Sequence, residues 1–154
     1  MLKLSKLADY ATVLMAMMAQ ASERLYSGQE LSERSGIPAP TVAKLLKKLL
    51  QGGLLQSSRG AHGGYRLARD PERISVADII AALEGPIAVT ECLGHHSDCT
   101  LESDCSARAN WRLINLAIHH ALEAVTLAQM AGNTSRMAPQ EVPLTFHPRS
   151  ASPI

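Results

Sequence analysis

Apolar residues at Leu4, Leu7, Ala11, Leu14 and Met18 step by three and four and predict an amphipathic helix from about Ser5 to Gln20. A polar stretch follows. Ser27 and Glu30 then form the signature of a capping box and open a short helix that runs to Arg34 and is ended by Gly36. Pro38 and Pro40 stand where a helix start tolerates proline, and TVAKLLKKLL carries the next helix to Gly52. Its faces separate cleanly: Val42, Leu45, Leu46 and Leu49 suit a core, and Thr41, Lys44, Lys47 and Lys48 make the outer side.

The period then changes. LLQSSR and YRLA read as strands on either side of the turn GAHGG, a hairpin flanked by Arg59 and Arg66 with His62 in its turn. SVADIIAALE is a further helix, with Ser75 and Asp78 as its capping box and Gly85-Pro86 closing it. From Trp111 the positions Trp111, Ile114, Ile118, Ala121, Val125 and Ala128 form a seam that predicts one helix of about 25 residues over 106–131. Leu113, Leu116, Ala117 and Leu122 broaden its apolar surface. So small a body covers such a helix poorly, which predicts a homodimer, with the helix lying across its own chain as the intrachain alternative. Residues 132–154 are polar, hold Pro139, Pro143, Pro148 and Pro153, and read as a flexible tail.

A helix-turn-helix followed at once by a basic hairpin is the plan of a winged helix. Its second helix enters the major groove of double-stranded DNA and the hairpin reaches the adjacent backbone or minor groove. The fold class is therefore mainly α, with the winged helix-turn-helix and its two-stranded wing over 1–86 and the dimerisation helix beyond. The candidate DNA-binding residues are Thr41, Lys44, Lys47, Lys48, Arg59, His62 and Arg66. A solvated basic face is the plainer reading of the lysines alone. Gly60, Gly63 and Gly64 match no phosphate-binding glycine pattern and open no helix, which sets nucleotide binding aside.

Composition supports this picture. The 154 residues suffice for one core, or a small domain with an accessory element, and exclude two large domains. One Phe and one Trp among many Leu, Ala, Ile and Met favour helices over a sandwich or barrel. The net charge of +1 conceals segregation: Lys44 to Arg73 holds seven basic and two acidic residues, a balance of +5, whereas residues 91 to 105 carry −4. Asp9 interrupts the apolar N-terminus, no clear cleavage site follows, and the odd cysteine count fits a reducing compartment. The expectation is a cytoplasmic protein with no membrane association.

The acidic stretch, 87–105, contains all three cysteines, Cys92, Cys99 and Cys105, among Gly, His, Ser and carboxylates. Thiolates are soft donors suited to an iron-sulfur cluster, zinc or copper(I). The C-x6-C-x5-C spacing is looser than a compact zinc knuckle. An iron-sulfur cluster, zinc or another metal, and unmetallated redox thiols all remain open on spacing alone. A fourth ligand is needed for a tetrahedral site or a cluster, with His95, His96, Asp98, Glu102 and Asp104 as local candidates.

The segments LSKLADYATVLM, SGIPAPTVAKLLKKLLQGGLL, SSRGAHGGYRLA and ISVADIIAALEG, taken with the three-cysteine loop, resemble the iron-sulfur transcription regulators of the IscR and NsrR type. The likeness spans about residues 1 to 130, and the opening segment looks most like the branch that regulates the SUF cluster-assembly system. The resemblance implies that Cys92, Cys99 and Cys105 bind a cluster, that the helix from about Ala107 to Met130 forms the dimer, and that residues 28 to 67 bind palindromic promoter DNA. IscR-like members supply a histidine three residues after the third cysteine, where this chain has Arg108. The nitric oxide sensor branch supplies an aspartate from the first helix of the partner subunit, and Asp9 matches it, although Asp9 alone reads as a wet helix surface. This likeness favours a 4Fe-4S cluster over 2Fe-2S. A glutamate tied to target choice in IscR corresponds to Ala43, so its base preference does not transfer.

The function expected is a cluster-dependent repressor of SUF assembly genes. The alternatives are a nitric oxide or oxidative-stress repressor of the same fold and a zinc-stabilised DNA-binding protein. No nucleotide fold, radical-enzyme cysteine motif or substrate domain is evident, so neither an enzyme nor a small-molecule substrate is expected.

Overall fold

Hydroxyl caps start three of the first four helices. Ser5 accepts from the Ala8 amide at 3.2 Å and opens α1, Lys6–Ala19. Ser27 accepts from the Glu30 amide at 3.0 Å and opens α2, Gly28–Ser35. Ser75 and Asp78 exchange two hydrogen bonds, of 3.0 and 3.1 Å, in the full capping box that opens α4, Val76–Glu84. Between them, Pro38 precedes α3, Ala39–Gln51, whose first turn needs no amide from Pro40. The computed structural model describes residues 4–89 and 108–132. In these it also holds β1, Leu55–Ser58, β2, Gly64–Leu67, a 3-10 turn over Pro71–Arg73, α5, Arg108–Glu123, and α6, Leu127–Met130.

One sequence expectation is only half met at α2. Glu30 does not return to the Ser27 amide; its carboxylate pairs with Arg24 at 2.7 Å and Arg34 at 3.5 Å. Both guanidinium groups meet Oε1 of Glu30 and hold its carboxylate away from the Ser27 amide.

The core joins Leu14, Met15 and Met18 of α1 to Leu31 of α2, Leu45, Leu46 and Leu49 of α3, and Ile79 and Leu83 of α4. Leu55 and Leu67, paired across the hairpin, close it from the wing side. The antiparallel register continues through Gln56 with Arg66, Ser57 with Tyr65 and Ser58 with Gly64. Tyr26 ties the wing to the helices: its amide and carbonyl exchange hydrogen bonds with Tyr65, both 2.8 Å. The chains approach so closely there that a Cβ on Gly64 would sit 2.6 Å from the Tyr26 carbonyl oxygen.

The single long helix expected over 106–131 is two helices. After Glu123 the chain turns, and Thr126 pairs with Ser75 in an isolated β-bridge. Val76 donates to the Val125 carbonyl at 2.9 Å, and Leu127 donates to that of Ile74 at 2.8 Å. Thr126 and Gln129 then form a second full capping box and start α6, which buries Leu127 completely in the main core. Burying Leu127 and filling these donors outweighs continuing a helix through the β-branched pair Val125-Thr126. The chain thus returns to the winged-helix body, and the boundary expected between that body and residues 106–131 is crossed by α6. The expected flexible tail lies outside the described residues, apart from Gly132.

Candidate nucleic-acid interface

The amphipathic pattern of α3 decides which side chains face out. Val42, Leu45, Leu46 and Leu49 are buried, Lys44 and Lys47 are exposed, and Thr41 is half-buried one turn earlier. Among the described residues neither Lys44 nor Lys47 forms an ion pair. The first turn of α3 has no acidic residue, so its positive pole and the two ammonium groups act in the same direction on a polyanion.

Lys48 behaves differently. It is half-buried, and its Nζ donates to the carbonyl of Leu83 in the last turn of α4. The outer row read from the sequence is therefore corrected: Lys44 and Lys47 remain on it, and Lys48 is turned onto α4. Its aliphatic stem lies along the rim of the core, and its ammonium reaches a helix-end carbonyl that no helical amide fills.

The wing adds cations beside α3. Arg59 and His62 are exposed in the turn between the strands, tightened by a Gly63 amide bond to the Gly60 carbonyl at 3.0 Å. Arg66 is exposed on β2, and its Nη2 donates to Gln56 across the ladder at 3.3 Å. Further along, Arg69 is engaged by Asp78 at 3.9 Å and by the Arg73 carbonyl at 3.5 Å. The recognition helix and wing thus offer Lys44, Lys47, Arg59 and Arg66 in separate positions, suited to phosphates along a groove more than to one compact anion.

Sequence reasoning missed two pieces of this region. Tyr26 is almost wholly buried, with Arg24 at 4.8 Å and Arg34 at 5.6 Å over its ring, and it holds the wing. Asn115 of α5 binds the backbone on both sides of Ala88: Val89 donates to its Oδ1 and its Nδ2 donates to the Ile87 carbonyl, both at 3.0 Å. An asparagine in mid-helix, where it is a poor helix former, was the available signal.

Cys92, Cys99 and Cys105, with His95, His96, Asp98, Glu102 and Asp104, lie outside the described residues. Among the described residues no three His, Cys, Asp or Glu side chains come together as a metal site. Arg108 begins α5. Asp9 is exposed in the first turn of α1, next to Ala8, which packs into a small cluster with Val76 and Ile80. No described helix is long and apolar enough to cross a membrane.

A family model for Rrf2, described as an iron-dependent transcriptional regulator, matches residues 4–133. The chain belongs to the Rrf2 family. This Rrf2 protein is 33% identical over 135 residues to protein rrf2 of Nitratidesulfovibrio vulgaris, covering 87% of this chain and 90% of that one. Its fold is similar to that of T. potens IscR, with a TM-score of 0.65, 32% identity and coverage of 89% and 93%. It is also similar to CymR of B. subtilis, titled a global cysteine regulator, with a TM-score of 0.65, 28% identity and coverage of 86% and 98%. The winged-helix reading therefore stands: this Rrf2 protein is a DNA-binding transcriptional regulator and not an enzyme.

Proposed function

We propose that this chain is an iron-sulfur cluster-dependent repressor that acts as a cytoplasmic homodimer on double-stranded promoter DNA and controls SUF cluster-assembly genes. The observation that carries the reading is the donor set: three thiols within fourteen residues, joined through α4 and α5 to a winged helix. Thiolates in that number fit an iron-sulfur cluster and leave one position for a weaker ligand. Cys92, Cys99 and Cys105 would hold the cluster, and Asp9 of the partner subunit would supply the fourth bond. Asp9 is exposed and free of ion pairs among the described residues, which suits a carboxylate offered to a second subunit. When bound, such a group supplies reversible ligand loss in response to oxidants or nitric oxide.

The protein's own residues do the rest. Lys44 and Lys47 hold the recognition helix to phosphates, while Arg59, His62 and Arg66 let the wing follow the backbone. The exposed apolar residues Trp111, Leu113, Ile114 and Leu116 of α5 give the dimer its surface.

Anaerobic purification with iron, sulfide and zinc analysis tests the reading. Iron and sulfide that track protein, with visible charge-transfer absorption, are expected, and Mössbauer spectra are expected to match a 4Fe-4S cluster. Stoichiometric zinc without sulfide would overturn the cluster and favour the zinc-stabilised reading. Asp9→Ala is expected to shorten the cluster's lifetime in air; an unchanged spectrum and lifetime would remove Asp9 as the fourth ligand. A response to nitric oxide distinct from that to cluster loss would redirect the function to the nitric oxide sensor.

A further inference from the structure

Two polar side chains from different helices hold the last turn of α4 and the short stretch that follows it to Val89. Lys48, in the last turn of α3, donates to the carbonyl of Leu83. That carbonyl lies in the final turn of α4, where no further helical amide is present to fill it, and the ammonium meets the negative pole of the helix. Asn115 of α5 holds the peptides on both sides of Ala88, as a neighbouring strand would. Between these pins Gly85 donates to the Ala81 carbonyl at 2.9 Å and Ile87 packs on the small cluster of Ala8, Val76 and Ile80.

The packing is tight where α4 meets α3: Gly52, at the end of α3, lies so close to α4 that a Cβ there would stand 2.6 Å from the Ala82 Cβ. Residues 86–89 instead line a cleft with Ile80, Glu84 and Trp111, so the path from them to α4 runs through Ile87, which packs on Ile80, and through the backbone, and from α4 to α3 through Gly52 and Lys48. Lys44 and Lys47 ride on that helix. Neither pin uses a residue from 90–107.

We propose that residues 83–89 mechanically link the cysteine segment to the recognition helix, with Lys48 and Asn115 as the two positioning residues. The regulatory meaning of the link rests on the function proposed above; its existence does not. Coupling of this kind is reciprocal, so each pin affects the other's neighbourhood.

The test compares the full chain with Lys48→Met, Lys48→Arg and Asn115→Leu by amide hydrogen exchange and by salt-dependent binding to a duplex selected from a random pool by the wild-type protein. Lys48→Met is expected to raise exchange at Val89, and Asn115→Leu to raise it at Gly52, each by about threefold to tenfold, the size of one lost hydrogen bond. Lys48→Met is expected to weaken DNA binding with an unchanged salt slope, and Lys48→Arg to restore it. Changes confined to the mutated pin would overturn the proposal. So would a salt slope lowered by about one in Lys48→Met, which would put Lys48 on a phosphate. If Lys48→Met does not fold, Lys48→Ala, which also removes the donor, is read in the same way. A protein that holds no iron or sulfide but shows both remote responses would support the link and overturn the cluster.

Discussion

Leu127→Ala separates a chain that folds back from one that extends a helix into solvent. Leu127 has no exposed surface and lies in the main core, with Ala131 packed against the same cluster. Its amide is bound to Ile74 and its neighbour Val125 to Val76, so the backbone cannot collapse into the space left by the lost methyl groups. Leucine-to-alanine changes at such sites cost about 2–5 kcal/mol, and the fixed backbone places this one near 3 kcal/mol. With a urea dependence of about 2 kcal/mol/M, the unfolding midpoint falls by about 1.5 M. Val13→Ala is the control: its side chain is 42% exposed on α1, away from the apolar surface of α5, so the effect is within about 0.5 kcal/mol. Both are measured by urea titration against the wild-type chain at one matched protein concentration. A Leu127→Ala shift as small as that of Val13→Ala would refute the fold-back.

Ser75→Ala removes one arm of the α4 capping box and is expected to lower stability by about 1 kcal/mol in the same titration. Gly64→Ala forces a Cβ into the Tyr26 carbonyl, so stability falls by about 1–3 kcal/mol and amide exchange at Tyr26 and Tyr65 rises. Unchanged exchange there would mean that the bridge does not hold the wing. Lys44→Ala and Lys47→Ala are each expected to weaken duplex binding and reduce its salt slope by about one; unchanged slopes would return both lysines to the solvated surface.

The helices from α1 to α4 are legible in the sequence because their apolar spacing agrees with local caps and with Gly and Pro at their ends. Periodicity fails at residues 124–126 for a specific reason: Val125 and Ala128 stay in phase with the seam of α5, so the break leaves the apolar pattern intact. Only the Thr126-to-Gln129 capping box marks it. Lys48 sits at the edge of the polar face of α3, and its acceptor lies 35 residues away, a tertiary contact that no local pattern carries. The half-formed box at Ser27 has a local origin: Arg34 lies one helical turn after Glu30 and Arg24 six residues before it, so competing partners for the carboxylate were present in the sequence. The basic residues of the recognition helix and wing were identifiable by type and spacing. Of the ligand candidates, Asp9 is within the described residues and the cysteines are outside them.

The bridge between Ser75 and Thr126 has a consequence for how this chain can change. It joins residues 51 positions apart and, with Asn115 holding Ile87 and Val89, makes α4, α5 and α6 a frame closed by contacts that use no residue from 90–107. Contacts within the described residues therefore fix α4 against both α5 and α6, at Ser75 on one end and at Ile87 and Val89 beyond the other. A helix held at both ends can turn as a unit but cannot bend, so whatever moves α4 moves the packed end of α3 with it.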